Sequence, residues 1–182
     1  NRGMGDIDVL VDEEKLDAVD KLLKDNRFIL EHLSEQHNVY SYMGLSVEVH
    51  PRLVRDFNNR FEKLFDKPWD EVILVEGFNY KFQHEYIICY LLYHLAKHLG
   101  TSGVGIRSVL DIGIYMNHYK DEVDKDYLFK LLEESQMMKL FEGVVYLNAK
   151  YFGFDKLSMF MINEPLSEER YENMLIYIAK SG

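Results

Sequence analysis

Two short segments of the chain carry acidic side chains at the spacing of a β-strand. The first is residues 5–11, GDIDVLV, and the second is residues 47–50, VEVH. Because successive side chains of a strand point to opposite faces, Asp6 and Asp8 share one face. If the two strands are neighbours, Glu48 joins them, and three carboxylates converge on a spot that divalent cations must neutralise. Such a site suits phosphoryl or nucleotidyl transfer.

The apolar residues that alternate with these carboxylates predict the other face of the sheet. Ile7, Val9 and Val11 stand between or after the two aspartates. The same alternation rule directs all three side chains away from the acidic face. We therefore expect them to be buried in a core.

The polar residues of the two segments also have simpler interpretations. Asp6 and Asp8 could be solvated carboxylates at an exposed strand end, and Glu48 could be a surface residue of an edge strand. His50 shares the face of Glu48 by the same spacing. It could orient that carboxylate, hold substrate or simply cap the sheet.

A second polar group falls on predicted helices. His94 and His98 stand four residues apart, so they project from one helix face, with Lys97 close to it. They could bind zinc, but the glutamate of a His-Glu-x-x-His motif is absent and no third ligand is evident. Lys97 and His98, with Arg107 from the next helix, could instead face the phosphates of a nucleotide or the acceptor. The alternative is an interhelical hydrogen-bond network in which Arg107 pairs with Asp111.

Composition sets broad limits. The 182 residues, 47% hydrophobic and 14% aromatic, predict globular folding with one or two cores. A net charge of −10 disfavours nonspecific nucleic-acid binding, which relies on clustered Lys and Arg.

The single Cys89 gives no disulfide framework, which indicates a reducing cytoplasm. No apolar run approaches the roughly twenty residues that span a bilayer, and no leader is evident, so we expect no membrane association. The aromatic and methionine content is compatible with a homodimer.

Hydrophobic periodicity divides the chain into two halves. Up to about Phe82 it alternates between the periods of strands and helices, which is typical of mixed α/β structure. Asp12 is the predicted cap of a first helix, whose buried stripe we expect to be Leu16, Val19, Leu22 and Leu23. We predict strands over 28–30, 39–43 and 45–50, a hairpin turn at Gly44, a strand end at Pro51, a helix over about 53–65, and a strand or packed loop over 72–75.

Beyond Gln83 the pattern is helical. We predict helices over 85–99, 106–118, 124–134, 138–151 and 167–180, with a linker over 100–103. The fold class is therefore α/β (α+β), with a small mixed-sheet domain over 1–83 followed by a helical bundle over 84–182.

Four segments carry a resemblance to a known family. They are residues 2–11 (RGMGDIDVLV), 47–50 (VEVH), 94–98 (HLAKH) and 107–111 (RSVLD). In these the chain resembles the uncharacterised nucleotidyltransferases of the DNA polymerase beta-like superfamily, and the resemblance weakens after about Phe152. It implies an Asp-x-Asp pair on one strand, a third carboxylate on a later strand, and an all-helical segment behind them.

The resemblance also implies an activity. The chain would be a Mg²⁺-dependent enzyme that moves a nucleoside monophosphate from a nucleoside triphosphate, such as ATP, to a hydroxyl acceptor. Asp6 and Asp8 would hold two Mg²⁺ ions, and Glu48 would complete the second metal site and could act as the base. The remaining candidates for nucleotide binding are His50, Lys97, His98 and Arg107.

One part of the family pattern is missing. Members usually carry a Gly-Ser turn that grips the nucleotide's phosphates shortly before the Asp-x-Asp pair, whereas only five residues precede Asp6 here. The chain also lacks an initiator methionine, so we expect either a fragment without its upstream segment or a protein without that phosphate-gripping element. The alternatives are a catalytically inactive module that binds a nucleotide or a protein, and a metal-dependent phosphohydrolase that uses the same carboxylates.

Overall fold

The computed structural model describes residues 6–34, 37–54, 60–77, 79–99, 105–161 and 168–181. The chain forms two compact units, Asn1–Phe57 and Asn58–Gly182. We call them the sheet unit and the helical unit. The architecture is mixed α/β, with a small mixed sheet and several helices, which confirms the predicted fold class.

The sheet unit contains one four-stranded sheet with strand order β1-β4-β3-β2. The elements in chain order are β1 (Ile7–Leu10), α1 (Leu16–Asp25), β2 (Ile29–Leu33), β3 (Asn38–Tyr42) and β4 (Leu45–His50). Strand β1 runs parallel to β4, whereas β4 with β3 and β3 with β2 are antiparallel. The sheet is mixed because α1 and the hairpin strands stand between β1 and β4 in the chain.

A short 3-10 turn, Glu13–Lys15, leads into α1 and begins at the predicted cap. The Asp12 side chain accepts a hydrogen bond from the backbone N–H of Glu14. The helix then packs Leu16, Val19 and Leu23 against the buried residues of the sheet, Val11, Tyr40 and Val49. Leu22 was predicted in this stripe but is 60% exposed and does not pack against these core residues.

The predicted burial of Ile7 and Val9 is wrong. Each is 38% exposed, whereas Val11 is buried as expected. Strand β1 lies at the edge of the sheet, and the apolar residues of α1 cluster around Val11 rather than along the whole strand. Edge position, which alternation alone does not reveal, therefore decides how far this strand is buried.

The hairpin between β3 and β4 turns at Gly44, as predicted, but Met43, predicted as the end of the strand, also belongs to the turn. Both have positive φ, 49° for Met43 and 83° for Gly44, as a two-residue type I′ hairpin turn requires. Strand β4 ends at His50, directly before Pro51. The two-residue turn fixes which residues of β3 and β4 face each other.

The helical unit contains a short helix and a β-hairpin, followed by five longer helices in its described residues. Its elements are α2 (Arg60–Lys63), β5 (Val72–Glu76), β6 (Asn79–Phe82), α3 (His84–Leu99), α4 (Ile106–Tyr119), α5 (Lys125–Glu134), α6 (Met138–Phe152) and α7 (Glu168–Ser181). Two 3-10 turns, Pro68–Glu71 and Asp155–Phe160, connect them. No helix in the described ranges is long and apolar enough to cross a bilayer.

One prediction for the start of this unit needs correction. The helix expected over 53–65 is not continuous, because Leu53 and Val54 lie in a bend and α2 covers only Arg60–Lys63. Residues 55–59 and the predicted linker 100–103 lie outside the described residues, as does Ser167, the expected start of the last helix. The segment 72–75 is a strand, and its partner β6 was not predicted because its short sequence, NYKF, has a single pair of apolar residues.

The two compact units divide after Phe57, earlier than the boundary predicted after residue 83. The residues between these points pack on the helices. Phe65 contacts the edge of Tyr86, with 5.3 Å between ring centroids. The hydroxyl of Tyr127 donates to a carboxylate oxygen of Glu71 at 2.8 Å. These contacts place the segment 65–71 with the bundle, and stacking of Phe82 on Tyr86, with 5.3 Å between ring centroids, places the β5–β6 hairpin there as well.

The core of the helical unit lies between α3, α4, α5 and α6. Helix α3 contacts α4 and α5, and α6 contacts α4 and α7. The fully buried side chains of this core include Ile88, Leu92, Leu95, Ile112, Met116, Leu128, Phe141 and Val144. Their helical spacing explains why the sequence predicted these helices to within a residue or two at each end.

Candidate metal and nucleotide site

The two acidic strands are neighbours, as convergence of their carboxylates required. In the parallel pair of β1 and β4, Asp8 is the register partner of Glu48 and Leu10 is the partner of His50. Partners in a register project from the same sheet face, opposite to the face that α1 covers. The sheet therefore presents Asp8, Glu48 and His50 together on its polar face.

His50 lies between the two carboxylates. Its Nε2 atom is 2.8 Å from Oδ1 of Asp8 and 3.4 Å from Oε2 of Glu48. The first distance is that of a hydrogen bond, whereas the second is longer than a charge-assisted bond to a carboxylate. One N–H can be directed at only one of these oxygens, so His50 joins Asp8 directly and leaves Oε2 of Glu48 for other ligands.

A second histidine, His37, completes this group and was not predicted. Its Nε2 atom lies 3.7 Å from the same Oε2 atom of Glu48, and its ring centroid lies 5.0 Å from that of His50. His37 is adjacent to β3, whose register pairs Asn38 with Val49. One further step along both strands places His37 opposite His50.

The sequence held a signal for His37. The prediction extended the strand over 39–43 through Met43 and left Gly44 alone in the turn. With the observed two-residue turn at Met43 and Gly44, counting outward along the hairpin leads to His37 opposite His50. The side chain of Ser34 then holds the backbone of His37 in place. The Ser34 hydroxyl accepts from the His37 backbone N–H at 3.1 Å and donates to the His37 carbonyl at 2.8 Å.

Within the described ranges, one group of three side chains has the geometry to hold a metal ion. One ligand atom from each of His37, Glu48 and His50 lies within 4.8 Å of the other two. Asp8 contacts this group through His50 and is 68% exposed at its side chain. Asp6 is exposed directly before β1, and the structure does not bring it into the group.

The other predicted nucleotide-binding residues lie in the helical unit. Lys97 and His98 are in the last turn of α3, where the Nε2 atoms of His98 and His94 are 3.2 Å apart. Arg107 is exposed in the first turn of α4. Binding of phosphates by these residues, and pairing of Arg107 with Asp111, stay predictions.

The helical unit also has an open cleft of about 510 Å³ beside Glu71 and Tyr127. These two side chains are hydrogen-bonded to each other, and burial together with Glu71 raises the pKa of the Tyr127 hydroxyl. The rest of the lining carries both signs of charge, from Lys63, Lys130 and Glu134. None of the predicted site residues lines this cleft.

Comparison with known proteins identifies the family to which the chain belongs. The model of a family described as an uncharacterised nucleotidyltransferase matches residues 1–153. The chain therefore belongs to this family of uncharacterised nucleotidyltransferases, as the sequence motifs predicted. No curated protein and no solved structure matches the chain.

Proposed function

We propose that the chain is a Mg²⁺-dependent nucleotidyltransferase that moves a nucleoside monophosphate from a nucleoside triphosphate to a hydroxyl acceptor. Family membership supports nucleotidyl transfer in general. The observation that carries the proposal is the parallel register that pairs Asp8 with Glu48 on one face of the sheet. Facing carboxylates on adjacent strands offer the oxygen ligands that Mg²⁺ prefers.

The donor set fits this assignment. Asp8 and Glu48 supply carboxylates, and Asp6, two residues before Asp8, can add a third from the start of β1. His50 lies between Asp8 and Glu48 and directs its Nε2 atom at their carboxylates. A cation bound between the two carboxylates would replace this contact and balance their negative charge. When bound, Mg²⁺ would neutralise the triphosphate and lower the pKa of the acceptor hydroxyl.

The transfer step makes one bond and breaks one. The acceptor oxygen attacks the α-phosphorus, the bond from that phosphorus to the bridging oxygen breaks, and pyrophosphate leaves. Glu48 is the candidate to accept the hydroxyl proton, because it is partly shielded on β4, an interior strand that fixes its position. Asp6 and Asp8 would position the triphosphate, and alignment of the reactants would supply much of the rate.

The test is calorimetric titration of ATP and the other nucleoside triphosphates into the chain, with and without Mg²⁺. Asp6→Asn and Glu48→Gln remove one candidate ligand charge each with little change in size. Asp17→Asn, on the exposed side of α1, is the matched control. We expect Mg²⁺-dependent binding that weakens at least about tenfold in the two site variants, the scale of losses at metal sites, and is unchanged in the control.

Two results would contradict the proposal. One is nucleotide binding that is equally tight in Asp6→Asn, Glu48→Gln and the unmodified chain, which would mean that these carboxylates do not take part in binding. Absence of heat with every nucleotide would favour a binding module for another partner. Where binding occurs, product analysis separates transfer from hydrolysis, since transfer labels an acceptor and hydrolysis releases free nucleotide.

Lys97, His98 and Arg107 are proposed to contribute positive charge to nucleotide binding. The variants Lys97→Gln and Arg107→Gln remove that charge at exposed positions, so the fold should tolerate them. Weaker ATP affinity in the presence of Mg²⁺ would support the assignment. Unchanged affinity in both variants would contradict it.

A further inference from the structure

We propose that His37, Glu48 and His50 form a binding site for a borderline transition-metal ion of the zinc type, distinct in its ligands from a Mg²⁺ site. The three side chains are the one group of metal ligands found in the described part of the chain. Two of the three are imidazoles. Imidazole suits Zn²⁺ and its neighbours in the first transition row, whereas Mg²⁺ takes oxygen ligands.

The two distances from Glu48 to the imidazoles are close to those between ligands of a bound ion. In a tetrahedral site with metal–ligand bonds of about 2.1 Å, neighbouring donor atoms are roughly 3.4 Å apart. Oε2 of Glu48 lies 3.4 Å from Nε2 of His50 and 3.7 Å from Nε2 of His37. Both distances exceed those of good hydrogen bonds to a carboxylate. Glu48 is therefore spaced from both imidazoles as a ligand is from its neighbours in a coordination shell, and not as a hydrogen-bond partner.

The backbone holds these ligands with little freedom. Glu48 and His50 are two residues apart on β4, which is hydrogen-bonded on both sides to β1 and β3. His37 is held by the two hydrogen bonds of Ser34 to its backbone. Because the ligands are already close together before an ion binds, little conformational entropy is lost on binding.

The charge and accessibility of the group suit a cation. The side chains of His37, Glu48 and His50 are 27%, 23% and 24% exposed, so they are shielded but open to solvent. With neutral imidazoles the three ligands carry one negative charge, and the adjacent Asp8 adds a second. Asp8 lies near enough to His50 to provide a fourth ligand or to hold a metal-bound water.

This proposal shares Glu48, His50 and the neighbouring Asp8 with the proposed transfer site but does not rest on nucleotidyl transfer. It requires neither Asp6 nor a nucleotide, and it predicts that the chain discriminates between two classes of ion. The two proposals can therefore fail separately, provided that each variant is titrated both with Zn²⁺ alone and with ATP in the presence of Mg²⁺.

The experiment is a competition titration of Zn²⁺ into the full chain without an affinity tag, with Co²⁺ absorption as a second readout. His37→Asn and His37→Gln each remove one imidazole. His98→Asn is the matched control, because His94 and His98 form the other close imidazole pair in the described residues. Thermal unfolding of each variant without metal shows whether it is folded before titration.

We expect one Zn²⁺ site whose affinity falls at least about a hundredfold in both His37 variants, beyond the tenfold to hundredfold loss of a supporting residue. Asp6→Asn and His98→Asn should keep it, and Mg²⁺ in large excess should not displace the ion. The proposal is overturned if the His37 variants bind as tightly as the unmodified chain, if His98→Asn abolishes binding instead, or if Mg²⁺ displaces Zn²⁺. Loss of Zn²⁺ binding in the folded His37 variants with intact Mg²⁺-dependent ATP binding would support this site independently of the transferase proposal.

Discussion

The imidazole of His50 and the carboxylate of Asp8 meet across two parallel strands, with Nε2 2.8 Å from Oδ1. Forty-two residues separate them along the chain, so only the pairing of β1 with β4 brings them together. Such a pair in partial contact with water stabilises a fold weakly. We therefore expect the main consequence of this pair to be geometric, because it places a nitrogen atom beside two carboxylates.

The first prediction concerns this pair. His50→Ala should lower the free energy of unfolding by less than about 1 kcal/mol, because Asp8 is 68% exposed and the interaction is screened by solvent. The same variant should lose Zn²⁺ binding. Chemical unfolding and Zn²⁺ titration of one protein sample measure both effects. A loss of several kcal/mol would show that His50 serves the fold rather than the site.

The second prediction concerns the hairpin turn that sets the register of the site. Met43 is 85% exposed and has φ of 49°, a conformation that costs a non-glycine residue about 1–2 kcal/mol. Asn tolerates this conformation and Asn-Gly is the preferred type I′ pair, so Met43→Asn should stabilise the hairpin by about 1 kcal/mol. Slower amide hydrogen exchange in β3 and β4 would report the gain.

Met43→Ala is the control for that substitution. It removes the same exposed apolar side chain but retains the unfavourable positive φ. Hydrogen exchange in Met43→Ala should therefore stay close to that of the unmodified chain. Equal slowing in both variants would trace the gain to loss of the methionine side chain instead of relief of the turn.

The third prediction concerns the close approach of α4 and α6 in the helical unit. A Cβ atom at Gly113 would lie 1.9 Å from Oδ1 of Asn148, which is fully buried. Asn148 cannot move aside freely, because its Nδ2 donates to the carbonyls of Val109 and Val144 at 2.8 and 2.9 Å. Gly113→Ala should destabilise this unit by about 1–3 kcal/mol, measured by chemical unfolding.

A double-mutant cycle tests the cause of that effect. Asn148→Ala removes the side chain that the new methyl group would meet, at the cost of its hydrogen bonds. In the Asn148→Ala background, Gly113→Ala should therefore cost much less than in the unmodified chain. If the losses of stability from the two substitutions simply add, contact with the Asn148 side chain is not the cause of the Gly113→Ala effect.

The fourth prediction concerns alkaline pH and the core of the sheet unit. Burial, followed by the hydrogen bond to Asp20, raises the pKa of the Tyr40 hydroxyl to about 12. An unfolded tyrosine releases its proton near pH 10. The stabilising contribution of this group is therefore fully present below about pH 10 and is lost as pH rises toward 12.

Tyr40→Phe should remove this part of the alkaline destabilisation. As pH rises from 9 to about 11, the melting temperature of the unmodified chain should fall more than that of the variant. Tyr80→Phe, at an exposed position, is the control and should follow the unmodified chain. A constant difference across this range would mean that Tyr40 titrates alike in the folded and unfolded states.

The fifth prediction concerns Cys89 on α3. Its side chain is fully buried, and burial raises the pKa of the thiol. A thiol reagent needs both access and the thiolate, so the folded chain should react only through opening of the helical unit. Labelling should be slow in the native state and rapid in denaturant, measured by mass spectrometry. Rapid native labelling would contradict the tight packing of this helix.

The sequence predicted the parts of this protein that depend on local pattern. The helices of the bundle have apolar residues at helical spacing, and the turn at Gly44 follows from the glycine between two strands, although Met43 was assigned to the strand and not to the turn. The segment at 53–65 was wrong because apolar spacing does not reveal where a helix gives way to a bend. Ile7 and Val9 were wrong because alternation gives the side chain's face and not what covers it.

The carboxylates of the candidate site also came from the sequence, since Asp8 and Glu48 lie on strands that its alternation pattern indicated. Only the tertiary structure decided that these strands are adjacent and parallel, and that His37 meets His50 and Glu48 on the same face. The physical reason is that alternation fixes the direction of a side chain within its own strand. The distance between side chains on different strands depends on strand order and register, which arise when the whole sheet forms.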